Sequence, residues 1–464
     1  MPDVIGIDFG TTNSVIALRR SDGEVSTIRY AAGAAEVDVF RSLLCFWAEE
    51  TGAGRGRLEH AAGPRAIEAY LDDPLGSRLI MSMKSYLASR SFTETRVFGR
   101  AFGLEELISL FLRALLAGAR GGAALGTARV TAGRPVRFVG ENADDVLAER
   151  RLRSAFAGAG WQGLELALEP EAAGYRFAAS LDGPATVLVG DFGGGTSDFS
   201  LLRFEPGARR KVTPLGHAGV GIAGDAFDYR IIDHVVSPCL GKGGSYRVMG
   251  TDLPVPPSFF TSFAHWHRLS LMRAPRTLRE IAEVARASDH PERLNNLIRL
   301  VEDEAGYALY QAVSGVKAAL STQETAMLRF RHGDFELAEE VRRTEFERWI
   351  RPELDRLAAT IDQALANAGL SAAQVDRVFL TGGTSLVPAV RRLFDDRFGA
   401  ERVARGGEFV SVAEGLALIG AERAEGWRGA HPLPGQDRGP NQEEQPQRIG
   451  TGTYSGDDPR NLSR

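Results

Sequence analysis

"IDFGTTNS" (residues 7–14) and "GDFGGGTSD" (residues 190–198) are two versions of one phrase. Each sets Asp-Phe-Gly at the end of an apolar run and follows it with Gly, Thr and Ser. The first closes Val4-Ile5-Gly6-Ile7 and opens onto Val15-Ile16-Ala17-Leu18; the second closes residues 185–190 and opens onto Phe199–Phe204. Short apolar runs bounded by turn residues read as strands buried on both faces. Strand, acidic glycine turn and strand thus occur twice, about 180 residues apart, which predicts two related lobes facing each other.

The turns have a chemical logic. Glycines let backbone N–H groups approach a phosphate closely, and Thr or Ser hydroxyls add donors. An Asp beside phosphates requires a bridging cation, because two anions in one site repel. Asp8, Gly10, Thr11, Thr12 and Asn13 form one expected jaw; Asp191, Gly193, Gly194, Gly195, Thr196 and Asp198 form the other. Mg²⁺ and its waters are expected between Asp8 and Asp191. A single turn of this kind is an ordinary hairpin; the pair is what carries the reading.

Around these turns the composition is that of an ordinary globular chain. The 464 residues exceed one small core, and 44% are hydrophobic and 25% charged. A net charge of −5 gives no global basic field, and the run Arg209-Arg210-Lys211 reads as solvated surface. Neither nucleic acid nor membrane is therefore an expected partner. Two distant cysteines, Cys45 and Cys239, form neither a disulfide framework nor a metal set and read as buried thiols of a reducing compartment. His265 and His267 are wrongly spaced for a helical metal pair. With no basic leader, and no run near the ~20 apolar residues that span a bilayer, the expectation is a soluble, cytoplasmic protein.

Periodicity predicts helices over 64–71, 104–120, 142–157, 277–287, 291–304, 302–321 and 345–369, and strands over 128–132 and 375–381. Residues 238–300 read as irregular, with the Pro- and aromatic-rich "LPVPPSFFTSFAHWH" at 253–267. The run Phe259, Phe260, Phe263 and Trp266 reads as packing within its own subdomain, with a partner surface as the alternative. Residues 426–464 are too polar to order themselves and read as a disordered tail.

"IGIDFGTTNSVIAL" and "VLVGDFGGGTSDFSLL" resemble the two phosphate motifs of the actin-like ATPase superfamily, specifically of the heat shock protein 70 (DnaK-type) family. "VFLTGGTSLVPAVRRLF" (378–394) resembles its adenosine motif. The resemblance covers roughly residues 1–425. It implies an α/β fold of two duplicated ribonuclease-H-like lobes, shared with actin and hexokinase: 1–182 plus about 404–425 as lobe I, and 183–403 as lobe II. It also implies ATP or ADP with Mg²⁺, K⁺ as a further candidate ion, and a protein partner.

Residue by residue, Lys84 in "MKSYL" is similar to the family's catalytic lysine, and Glu169 in "LEPEAAG" to the carboxylate that places water and metal. Thr196 and Asp191 complete the implied catalytic set. Glu171 stands where the family has Thr. Gly224 in "AGDAFD", Lys317 and Ser321 in "SGVKAALS", and Gly382, Gly383 and Thr384 match nucleotide contacts. The two arginines that sandwich adenine are replaced by Ala318 and Leu386, and the family's Glu by Ser314. Losing each guanidinium face removes about 0.5–2 kcal/mol of cation–π attraction, so adenine should bind more weakly than in a typical relative.

Beyond residue 425 nothing in the sequence reads as a peptide-binding domain, and the span between Asp228 and Ser314 is longer than the family's, which implies an enlarged subdomain at about 225–315. Three functions compete: an ATP-hydrolysing chaperone or nucleotide switch, a nucleotide-binding scaffold with negligible turnover, and a small-molecule kinase of the sugar-kinase branch. A protein-kinase reading of DFG fails, because no His-Arg-Asp loop or Val-Ala-Ile-Lys strand accompanies it.

Overall fold

The computed structural model describes residues 3–430 except 33–34, 50–56, 74–75, 120–127, 139–141, 162, 179–182, 206–210, 265–271, 304 and 406–409. Met1–Ala424 form one compact unit. It is built on two sheets of the same plan.

In the first sheet, β1 (Val4–Phe9), β2 (Asn13–Arg19) and β3 (Val25–Thr27) run antiparallel. β4 (Arg129–Arg134) and β5 (Glu165–Leu168) then add in parallel beside β1. The second sheet repeats this with β6 (Ala185–Phe192), β7 (Ser197–Glu205) and β8 (Lys211–Val220) antiparallel, and β9 (Arg377–Thr381) and β10 (Val403–Arg405) parallel beside β6. The spatial orders β5-β4-β1-β2-β3 and β8-β7-β6-β9-β10 are mirror listings of one topology. Two duplicated α/β lobes are thus present, as expected from the repeated phrase.

Both central strands are buried along nearly their whole length, which is why their sequences are continuously apolar rather than alternating. Helix Ser411–Ala430 binds the two sheets together. Its Ala413 and Ala417 pack on Val15 and Ala17, while Val412, Leu416 and Ile419 pack with Val187, Val189 and Phe204. Gly6 permits this approach, since a Cβ there would overlap the Ala413 carbonyl.

Residues 238–300 contain the helices expected over 277–287 and 291–304, and are otherwise more regular than the sequence suggests. They hold the hairpin Ser245–Val248/Thr251–Pro254 and helices Pro257–Phe263, Pro275–Ala287 and Pro291–Glu302. The prolines that look like breakers start these helices, where the missing N–H costs nothing. Phe259, Phe260 and Phe263 are buried in the core of the second lobe, and Trp266, like His265 and His267, lies outside the described residues.

The long helix expected over 302–321 begins at Gly306, after a separate helix ends at Glu302. The one expected over 345–369 divides at Ile350, where Pro352 starts a new helix. Cys45 is fully buried; Cys239 is only partly so, which corrects the expectation for it. Of the tail expected from 426, the helix reaches Ala430 and 431–464 lie outside the described residues.

Candidate functional site

The two glycine turns meet. At Gly10 a Cβ would overlap the Asn13 carbonyl, so only glycine closes the turn from β1 to β2. At Gly194 a Cβ would overlap Thr12 Oγ1, which places the second jaw directly against the first. The first turn is pinned by Ser42, whose N–H donates to the Thr12 carbonyl (2.8 Å), and by Arg41, whose Nη1 donates to Asn13 Oδ1 (3.0 Å). The second closes on itself through Gly193 N–H to the Thr196 carbonyl (2.9 Å) and is held from outside by Asp225 N–H to the Gly194 carbonyl (2.9 Å).

Between the jaws lies a cleft of about 800 Å³, in the range of small-molecule sites. Of the residues singled out in the sequence, Asp8, Gly10, Thr11, Thr12, Asn13, Lys84, Glu169, Asp191, Gly193, Gly194, Thr196, Asp198, Gly224, Lys317, Ser321, Gly382, Gly383 and Thr384 all line it. Gly195 does not. Residues from seven separate stretches of chain therefore converge.

Lys84 and Glu169 occupy the floor. Lys84 sits on the short turn Met83–Tyr86, preceded by Ser82 in the left-handed conformation (φ 54°), a strained non-glycine position of the kind that collects at functional sites. Glu169 opens helix Glu169–Ala178, where the helix dipole favours an anion. Lys84 Nζ donates to Glu169 Oε1 at 2.6 Å, and both side chains are about nine-tenths buried. Gly133 makes room, since a Cβ there would press on Glu169 Cγ at 2.8 Å.

One ammonium serves many carboxylates. Burial, reinforced by Glu169 and Asp191, pushes Asp8 up to about 8. Burial, with Glu169 and Asp198, raises Asp191 to about 7, and burial with Glu169 raises Asp198 to about 7. Burial also works against the Lys84 ammonium, but Glu169, Asp8 and Asp191 outweigh it and its pKa lies above the ordinary lysine value. Such a site is short of positive charge, and a cation would relieve it. No three His, Cys, Asp or Glu among the described residues close on a metal position. A hydrated ion also held by a ligand's phosphates fits this donor set; a protein-only cage does not.

Further along the cleft, Gly382 adopts φ 88°, and a Cβ there would overlap the Phe192 carbonyl. Lys317 donates to Asp228 Oδ2 (2.8 Å) and to the Gly224 carbonyl (3.1 Å). Asp228 Oδ1 is buried without a hydrogen-bond partner. Ala318 and Leu386 also line the cleft, and Leu386 is exposed. At the mouth, Tyr70 and Tyr307 meet edge to face with ring centroids 5.9 Å apart. The Tyr307 hydroxyl accepts from Gln311 Nε2 (2.9 Å) and is hydrogen-bonded to Arg41.

Sequence reasoning passed over several of these groups. Asp228 was within the quoted "AGDAFD", and its spacing from Gly224 on one helical turn is the signal that places it beside Lys317. Arg41, Tyr307 and Arg137 had no local signal; only the fold brings them to the cleft. Glu171 is largely buried; that burial raises its pKa against the opposing charge of Arg423 on the C-terminal helix, an interaction a threonine could not make.

The family model "Hsp70 protein" matches residues 148–244 and 295–423. The unmatched stretch between them contains the hairpin and two of the proline-started helices. Chaperone protein DnaK of Thermus thermophilus is 27% identical over 414 residues, which cover 86% of this chain and 58% of that protein. Chaperone protein DnaK of Deinococcus radiodurans is 26% identical over 435 residues, covering 91% and 59%. That of Thermotoga petrophila is 27% identical over 431 residues, covering 91% and 61%. The chain thus spans about three-fifths of the length of the curated relatives it matches. With the duplicated lobes, the paired glycine jaws and these relatives together, the chain belongs to the heat shock protein 70 family.

Proposed function

We propose that this protein binds ATP and ADP with Mg²⁺ in the cleft and hydrolyses ATP, acting as a nucleotide-dependent switch on a protein partner in the manner of a chaperone. The observation that carries the reading is the buried Lys84–Glu169 pair, set between two glycine turns that each present a carboxylate of raised pKa. Glycine turns of this kind hold phosphate oxygens through backbone N–H groups. The excess of buried carboxylate suits a divalent cation, with Asp8 and Asp191 holding it through water. When bound, Mg²⁺ screens the phosphate charge. Lys84 and Glu169 orient a water in line with the terminal phosphate, and Thr196 donates to the oxygens as charge develops. Asp228 Oδ1, buried and unsatisfied beside the cleft, is suited to accept from a ribose hydroxyl.

Phosphate release from Mg²⁺·ATP tests this. The wild type should turn over, and Lys84→Ala should lower the rate at least about 100-fold while nucleotide still binds. Release that survives Lys84→Ala unchanged refutes the mechanism.

A second reading, a nucleotide-binding scaffold with negligible turnover, is favoured by Ala318 and Leu386 at the base end of the cleft. It predicts thermal stabilisation by ADP and ATP alike with no phosphate release.

A further inference from the structure

The short strand Phe40–Arg41 pairs antiparallel with β2, with Arg41 directly opposite Asn13 and Phe40 opposite Ser14. Directly opposed residues carry their side chains on the same face, so this register sets the guanidinium beside the Asn13 amide. The strand is locked in place at its end. Ser42 N–H donates to the Thr12 carbonyl (2.8 Å), and the buried Ser14 and Ser42 hydroxyls are hydrogen-bonded to each other (2.8 Å). On the opposite wall of the cleft, the guanidinium is also hydrogen-bonded to the Tyr307 hydroxyl, on helix Gly306–Leu320. Tyr307 is held in turn by Gln311 Nε2 (2.9 Å) and by its edge contact with Tyr70. Arg41 thus has an anchor on each lobe. A strap that served only to hold the first turn would need neither Tyr307 nor a place on the cleft wall.

The chemistry of the pair fixes which way Asn13 faces. A guanidinium has five N–H donors and no acceptor, whereas an amide has an oxygen acceptor at one corner and an NH₂ donor at the other. Arg41 Nη1 therefore takes the Asn13 oxygen, Oδ1, at 3.0 Å, and Nδ2 is turned away from it. Nδ2 makes no hydrogen bond among the described residues, while Asn13 lines the cleft beside Thr11 and Thr12. The opposite flip would set two donors against each other at Arg41 and turn an acceptor towards the cleft, where it would repel a phosphate.

We infer that Arg41 is a positioning residue: by holding Oδ1 of Asn13, it presents Nδ2 as a donor to a phosphate oxygen of the bound nucleotide. The inference rests on the nucleotide-binding part of the reading above and not on turnover. Without Arg41 the amide is free to turn over, and its oxygen then faces the phosphates in part of the molecules. The guanidinium itself touches the amide and the phenol, not the nucleotide.

A double-mutant cycle on Mg²⁺·ADP affinity, measured by calorimetry on the full chain, tests the assignment. Hydrogen bonds to charged groups are worth about 10- to 100-fold in binding, so Asn13→Ala should weaken Mg²⁺·ADP at least about tenfold and Arg41→Ala at least about threefold. In the Asn13→Ala background, Arg41→Ala should add less than about twofold, because an arginine that acts through the amide has nothing left to orient. A general loosening of the turn would instead lower affinity in both backgrounds. Asn13→Asp keeps an acceptor for Arg41 and removes the donor; it should bind at least as weakly as Asn13→Ala. Arg41→Lys, which restores a donor to Oδ1, should recover part of the loss. Losses that multiply in the double variant, or wild-type affinity in Asn13→Asp or Arg41→Ala, overturn the assignment and leave nucleotide binding standing. A wild type with no affinity for Mg²⁺·ADP overturns both.

Discussion

Asp8, Asp191 and Asp198 hold protons that ordinary carboxyls release, because burial beside other carboxylates opposes their ionisation. The unfolded chain gives those protons up near the ordinary value of 3.8, whereas the folded protein keeps them until about 7 to 8. Between those limits the folded state binds more protons than the unfolded one, so stability falls as pH rises and levels off above about 8. His217 works in the opposite sense. Burial lowers it to about 4, so it favours folding increasingly as pH rises towards 6.5 and then contributes no slope. The carboxyls therefore dominate from pH 6.5 to 8. Without ligand, the thermal midpoint should decrease over that window in scanning fluorimetry, and Asp198→Asn should flatten the slope. Mg²⁺ with ADP should flatten it too, by favouring the ionised carboxylates. A midpoint that rises over this window would show that the carboxyls are not the strained groups of the site.

At the scale of elements, the strands around the glycine turns were legible because burial on both faces leaves an unbroken apolar signature. Their turns were legible because a Cβ at Gly10 or Gly382 would overlap backbone, and one at Gly194 would displace the Thr12 hydroxyl, constraints that sequence records directly. Within 238–300 the helices Pro275–Ala287 and Pro291–Glu302 were legible in their periodicity, whereas the hairpin Ser245–Val248/Thr251–Pro254 and the helix Pro257–Phe263 are too short to show a clear period. Arg137 was hidden for another reason. A cleft-lining residue held by a neighbour's contacts, here those of Arg134 and Phe138, leaves no trace in its own flanking sequence. The phenylalanines of the aromatic run are core: Phe260 and Phe263 are essentially inaccessible, and Tyr310 Oη donates to the Phe263 carbonyl at 3.1 Å. Phe260→Ala should cost about 3–5 kcal/mol of unfolding free energy in urea titration. A change below about 1 kcal/mol would return this run to the surface, as a candidate partner face.

Across the whole molecule, the lobes are joined by unlike materials at the two ends of the cleft. At the base, helix Ser411–Ala430 packs on both sheets with its backbone against Gly6, and Gly415 lies where a Cβ would overlap the Ala172 carbonyl. Contacts that close leave little room to slide, so relative motion of the lobes is expected as a hinge opening at the mouth. There the Tyr70–Tyr307 pair spans the gap.

An aromatic edge contact is indifferent to ionic strength, whereas a charged latch would weaken as salt screens it. The interlobe distance distribution, followed by fluorescence energy transfer without nucleotide, should stay the same between about 0.05 and 0.5 M salt, a range over which exposed ion pairs are progressively screened. Tyr307→Ala should broaden it at every salt concentration. A wild-type distribution that opens with salt would place the latch in charges instead. A cleft closed by rings and an arginine–phenol hydrogen bond, rather than by paired ions, would keep its grip on a ligand through the swings in salt that accompany osmotic or desiccation stress.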